Sequence, residues 1–167
     1  MHIASLILIT LLLIIIPLDA NAHKLISHDE THTELNNALN IPDHKISWAI
    51  YENLEQNKVK YYKFTAKHGD LFYSSIVIPK IKSLFDYAPT LVLIGDGIDK
   101  SDKVPFEVSP ELGIWAFPYQ GKFPSKEFYE PFGQVTYWER QEVKITIPKN
   151  GTYYLAIFDD KSNGKYS

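Results

Sequence analysis

The chain contains no cysteine. No disulfide can staple its loops, so packing has to hold the fold together. It has no excess of positive charge either. The formal net charge is −3, and the basic face that nucleic-acid binding requires is missing. Sustained helical periodicity, internal repeats and low-complexity tracts are absent, which excludes helical bundles, solenoids and coiled coils. The sequence holds no Gly-x-Ser-x-Gly elbow and no His-Glu-x-x-His helix, the commonest marks of serine and zinc hydrolases. Only one long hydrophobic run exists, and it lies at the extreme N-terminus.

That run, residues 3–16, is broken only by Ser5 and Thr10 and is closed by Pro17. It is shorter than the roughly 20 residues needed to cross a bilayer. Ala20-Asn21-Ala22 follows, the small-x-small pattern of a signal-peptidase site. Residues 1–22 therefore read as a signal peptide, and the protein as secreted or displayed at the cell surface. The leader carries only its terminal amine and His2 as basic groups, so an uncleaved anchor is the alternative. Cleavage removes one acid, Asp19, and no Lys or Arg, so the net charge of −3 becomes −2. It leaves 145 of the 167 residues, enough for one hydrophobic core. No membrane span is expected in that mature part.

What is abundant is aromatic: 11 Tyr, 9 Phe and 3 Trp, the amphipathic rings that suit strand faces and binding surfaces. Residues 23–44 form a polar, His-rich lead-in with at most one helical turn. From Ile46 onward short β-rich runs alternate with Gly, Pro, Asn and Asp. Strands are expected at residues 45–51, 59–66, 71–78, 90–94, 114–117, 142–147 and 152–158. The phrase Lys165-Tyr166-Ser167 reads as the opening of a last, truncated strand. Residues 95–141 form an insertion holding five of the ten prolines and ten of the 23 aromatics. Within it, residues 123–132 read as an irregular loop. Asn150-Gly151-Thr152 fits a turn and also a glycosylation sequon. The fold class is all-β, an antiparallel jelly-roll-like β-sandwich over residues 45–167.

Several phrases resemble the pre-peptidase C-terminal domains of bacteria. Val59-Lys60-Tyr61-Tyr62-Lys63-Phe64-Thr65-Ala66-Lys67-His68-Gly69-Asp70 resembles that family's opening "xxYYxFxxxxGD". Thr90-Leu91-Val92-Leu93-Ile94 stands where the family has "DLxLxL", with Thr90 in place of the acid. Ile147-Pro148-Lys149-Asn150-Gly151-Thr152-Tyr153-Tyr154 resembles "xPxxGTYY", and Gly164-Lys165-Tyr166 resembles "GxYxL". Glu127-Phe128-Tyr129-Glu130-Pro131-Phe132 is similar to a phrase of uncharacterised exported archaeal proteins. The resemblance implies a secreted sandwich, an accessory module without catalytic residues of its own. Some members of that family bind calcium or a polymer.

Four sets of residues are candidates for function. His23, exposed as the first residue after cleavage, offers an amine and an imidazole as a two-nitrogen clamp. With His28 or His32 it would bind copper. Those two lie four apart, and a helical turn would put them on one face. Asp96, Asp99 and Asp102 offer oxygen ligands for calcium, but without the spacing of a calcium loop they read as an acidic turn. Trp115, Tyr119, Phe128, Tyr129, Phe132, Tyr137 and Trp138 would form a platform for a glycan or a cell-surface protein, or else cover the sandwich as core. Glu127, Glu130, Glu139 and Glu142 supply carboxylates for a polysaccharide hydrolase only if two of them share a cleft. The leading reading is a non-catalytic binding or structural module, ahead of a copper-binding protein and a hydrolase.

Overall fold

A computed structural model describes residues 23–99, 102–131 and 133–167. The proposed signal peptide, residues 1–22, lies outside the described residues. The protein is an all-β sandwich. Its strands are β1 (Lys24–Leu25), β2 (Leu39–Asn40), β3 (Trp48–Ala49), β4 (Glu52–Leu54), β5 (Val59–Ala66) and β6 (Leu71–Pro79). They continue with β7 (Thr90–Gly95), β8 (Gly113–Phe117), β9 (Glu127–Glu130), β10 (Val135–Thr146), β11 (Gly151–Phe158) and β12 (Gly164–Tyr166). No helix among the described residues is long and apolar enough to cross a membrane.

One layer is a five-stranded sheet in the order β2-β5-β11-β7-β8. The other is built on β6-β10-β9. β12 pairs with β4, and Ser167 continues the line by exchanging two backbone hydrogen bonds with Val77 of β6, 2.9 and 2.8 Å long. Alternation along the strands decides what lies between the layers. From β5 come Tyr62, Phe64 and Ala66, and from β11 Tyr153, Leu155 and Ile157. They meet Phe72, Ile76 and Ile78 of β6, with Leu91 and Leu93 of β7 completing the core. Phe64 and Phe72 stack across the layers with centroids 4.2 Å apart. Each such side chain contributes roughly 1.5–3 kcal/mol by leaving water, which is how a cysteine-free sandwich holds together.

The five-stranded sheet is buried on its outer face as well. Tyr61, Val92, Ile94 and Ala156 point away from the main core and are covered by Val104, Phe106, Val108 and Leu112. β7 thus has both faces buried, which accounts for its unbroken apolar run.

The inserted region is more regular than its sequence suggests. After the covering segment, β8 extends the five-stranded sheet. Residues 123–132, expected to be irregular, contain β9, which pairs with β10 from Val135↔Glu130 to Trp138↔Glu127. The strand expected at 142–147 is the second half of the 12-residue β10. A register shift between Glu139 and Glu142 breaks its alternation and hides the first half from a period-2 reading. The strand expected at 45–51 shrinks to β3, which pairs in parallel with β1 of the lead-in. Asp43 turns the chain just ahead of it, its side chain and carbonyl accepting from Lys45 N and Ile46 N.

Gly113 is required by close approach. A Cβ there would stand 1.8 Å from the carbonyl oxygen of Ile98. Gly113→Ala is expected to destabilise the protein by about 1–3 kcal/mol, since backbone rather than a flexible side chain has to move. An unchanged urea midpoint for this variant would show that residues 98 and 113 are not packed as described.

Candidate functional site

Two clusters stand out, one buried and one open. The buried cluster starts from the lead-in, where the chain turns sharply at residues 28–32 without forming a helix. Asp29 Oδ1 accepts from Thr31 N at 3.2 Å and from Thr31 Oγ1 at 2.7 Å. Glu30 adopts φ +63°. This Asx-type turn, not a helical face, brings the rings of His28 and His32 edge to face, 4.9 Å between centroids.

Both imidazoles point at Glu52 of β4. His32 Nε2 lies 2.8 Å from Glu52 Oε2 and His28 Nε2 lies 3.7 Å from it. Lys60 of β5 reaches Glu52 Oε1 at 3.1 Å and donates to Glu30 O at 2.8 Å. The Tyr62 hydroxyl donates to Glu52 Oε2 at 3.4 Å and lies 2.6 Å from the Tyr166 hydroxyl. Burial alone would raise the Glu52 pKa, but hydrogen bonds and charge from His32 and Lys60 win and hold it below the usual carboxylate value. Tyr62 and Tyr166 are both pushed well up, first by burial. The Glu52 charge then adds to the rise at Tyr62, against the hydrogen bond with Tyr166, and the Tyr62 hydroxyl and Glu52 add to it at Tyr166, so both keep their protons.

His23 is not part of this cluster; its Nδ1 lies 2.6 Å from Ser47 Oγ. Of the three residues expected to share a metal, the structure brings two together and supplies Glu52 as their third neighbour. Glu52 is hidden in the sequence because Glu-Asn-Leu-Glu-Gln-Asn reads as a polar loop. The one local hint is Leu54 two positions on, which shares its buried face.

The open cluster is a cleft of about 640 Å³ on the outer face of β6-β10-β9. Tyr73 and Ser75 of β6, Tyr137 and Glu139 of β10 and Phe128 and Glu130 of β9 form its floor. Trp48, Tyr51 and His23 stand along its rim. Tyr51 is 47 % exposed and Tyr73 56 %, so two rings stand half in solvent beside carboxylates. Glu142 accepts from the Tyr73 hydroxyl at 3.0 Å, and Lys126 lies 3.3 Å from Glu139. Glu130 accepts from Gly133 N at 2.5 Å. The Tyr137 hydroxyl is pushed up to about 12, first by burial and then by Tyr51 and Glu130. A neighbouring opening of about 450 Å³ shares Trp48, Tyr73, Ser75 and Ser167 with the cleft and is lined by Ile46, Ile50 and Leu71.

The expected aromatic platform is divided. Phe128 and Tyr137 line the cleft, whereas Tyr129 points away and is exposed. Trp138 is core, set edge to face against Phe85. Tyr119 packs beside Phe123 and Arg140, and Trp115 beside Phe117 on β8. Phe132 lies outside the described residues. The three aspartates of the acidic turn have separate partners. Asp96 pairs with Lys149 at 3.0 Å, Asp102 Oδ2 accepts from Ala116 N at 2.7 Å and the Asp99 carbonyl accepts from Ile114 N at 3.2 Å.

No protein-family model matches this chain, and no curated protein does. The resemblance to pre-peptidase C-terminal domains therefore rests on its sequence phrases alone.

Proposed function

We propose that this protein is an exported, non-catalytic binding module that holds a neutral glycan in the cleft on β6-β10-β9. The observation that carries this reading is the pairing of half-exposed rings with carboxylates around one concavity. A sugar offers an apolar C–H face, which stacks on Tyr51, Tyr73 or Phe128. Its hydroxyls donate to Glu139 and Glu142, and hydrogen bonds to ionised acceptors are among the stronger ones. Charge narrows the class further. Lys126 is paired with Glu139, and Arg140 is committed to backbone carbonyls, while Glu130 and Glu142 add negative charge. Such a cleft disfavours sulfated or uronic-acid polymers.

The test is isothermal titration with neutral oligosaccharides of the glucan, mannan and chitin types, with product analysis after each run. Tyr73→Ala should weaken binding at least about tenfold, or about 1.4 kcal/mol, without changing thermal stability. Trp115→Ala, outside the cleft, should leave binding unchanged. Absence of binding to every neutral glycan, or equal losses in both variants, would reject the reading. Shortened products would replace it with hydrolysis by the clustered glutamates.

A further inference from the structure

We infer that His28, His32 and Glu52 form a binding site for one zinc-class divalent ion, a metal staple in a chain that has no disulfides. This inference is independent of the glycan reading, since none of the three residues lines the cleft.

The first argument is an unanswered polar group. His32 is 2 % exposed; its Nε2 faces the Glu52 carboxylate 2.8 Å away, but its buried Nδ1 makes no hydrogen bond. Buried polar atoms are nearly always satisfied, and an exception calls for an ion or a water. The second argument is geometric. Ligand atoms around a tetrahedral ion with bonds of roughly 2.0–2.1 Å stand about 3.3 Å apart. The observed 2.8 and 3.7 Å gaps to Glu52 Oε2 bracket that value, and all three donors lie within 4.8 Å of one another.

The third argument concerns Lys60. An ammonium beside a cation is unfavourable by charge alone. Its position, however, divides the carboxylate: Lys60 Nζ and the backbone N–H of Asn53 take Oε1, at 3.1 and 3.3 Å. Oε2, which also accepts from the Tyr62 hydroxyl at 3.4 Å, is thereby turned toward the two imidazoles as a single donor, the orienting role that outer partners play for ligating carboxylates.

The donor set differs from that of the copper clamp expected at His23. Copper was expected from the amine and ring of His23, which takes no part in this cluster. Two imidazoles and one carboxylate in an enclosed site suit zinc.

Binding has a defined local price. His28 Nδ1 accepts from Glu30 N at 3.2 Å, so its proton sits on Nε2, which meets Tyr51 O at 3.0 Å. The ion takes that Nε2 lone pair, the proton moves to Nδ1, and the Glu30 amide must turn away. The staple then joins the lead-in to β4 and, through Tyr62 and Tyr166, to β12.

The test is calorimetric titration of the chelator-treated full chain with Zn2+, with Cu2+ as competitor. One-to-one zinc binding and a raised melting temperature are expected. His32→Gln should weaken binding more than about 100-fold, beyond the 10–100-fold that outer partners cost. His23→Gln should have no effect. Because His32→Gln also alters a buried site, the wild type supplies a second readout. Zinc should shift the NMR signals of the His28 and His32 rings and the Glu30 amide, leaving the His44 ring unmoved. No zinc binding, loss with His23→Gln, or shifts confined to His23 or His44 would overturn the assignment.

Discussion

Glu52→Leu, measured with chelator present, is expected to destabilise the protein by about 3–5 kcal/mol, among the largest losses of any single substitution. The Glu52 side chain is fully buried and answers the buried ammonium of Lys60. Removing it leaves that charge with only the Glu30 carbonyl as a described acceptor. Desolvation of an unpaired charge, rather than loss of the attraction itself, dominates such a deletion. The double variant Glu52→Leu with Lys60→Met should recover most of the loss, since removing both charges removes the uncompensated one. Surface pairs set the contrast. Lys80 and Glu127 lie 2.7 Å apart but are both exposed, so Glu127→Leu should change stability by less than about 1 kcal/mol. Urea unfolding followed by Trp fluorescence measures all four proteins. A Glu52→Leu loss below about 1 kcal/mol, or a double variant no better than the single, would refute the buried pair.

The same cluster shows how far a sequence can be read. His28 and His32 were identifiable as neighbours, but the helical reason for it was wrong. An Asx turn closed by Asp29 and Thr31 does the work, and Asp-x-Thr is a turn phrase as much as a helix start. Glu52 was invisible because its partners come from residues 28, 32 and 60, joined only by the fold. Strands β5, β6, β7 and β11 were legible because each is a bounded run of β-formers with turn residues on both sides. β9 and the first half of β10 were not, because the register shift at 139–142 interrupts the period. Part of the aromatic platform falls once β9 and β10 are seen to be strands. Adjacent residues on a strand face opposite ways, so Tyr137 and Trp138 cannot both line one cleft, nor can Phe128 and Tyr129. One of each pair lines the cleft, while Trp138 enters the core and Tyr129 faces solvent. The second core over β7 was out of reach because the alternation of Val104, Phe106 and Val108, interrupted by Pro105, does not say which surface those side chains cover.

Arg140, at that register shift, carries the second large prediction. Its Nε donates to Tyr87 O at 3.0 Å and its Nη2 to Phe85 O at 2.9 Å, while Nη1 donates to Ser125 Oγ. The guanidinium also lies over the rings of Tyr119, Phe123 and Trp138, at 5.3, 4.9 and 5.4 Å. One planar fork thus fastens the 82–89 connection and the 118–126 segment to β10. Arg140→Met preserves the aliphatic stem but leaves two carbonyls without this donor, and should cost roughly 2–4 kcal/mol. Arg140→Lys should recover less than half, because an ammonium lacks the fork that spans both carbonyls. The loss should be local first. Tyr87 fills the space beside Gly164, where a Cβ would meet its ring at 2.3 Å. Freeing the Tyr87 backbone therefore loosens β12 as well as the 82–89 connection. Hydrogen exchange should quicken at Tyr87 and in β12 while β5 and β11 keep their protection. Unchanged exchange at Tyr87 would mean that other contacts hold this corner. Uniform acceleration across both sheets would mean that Arg140 supports the whole sandwich rather than this corner.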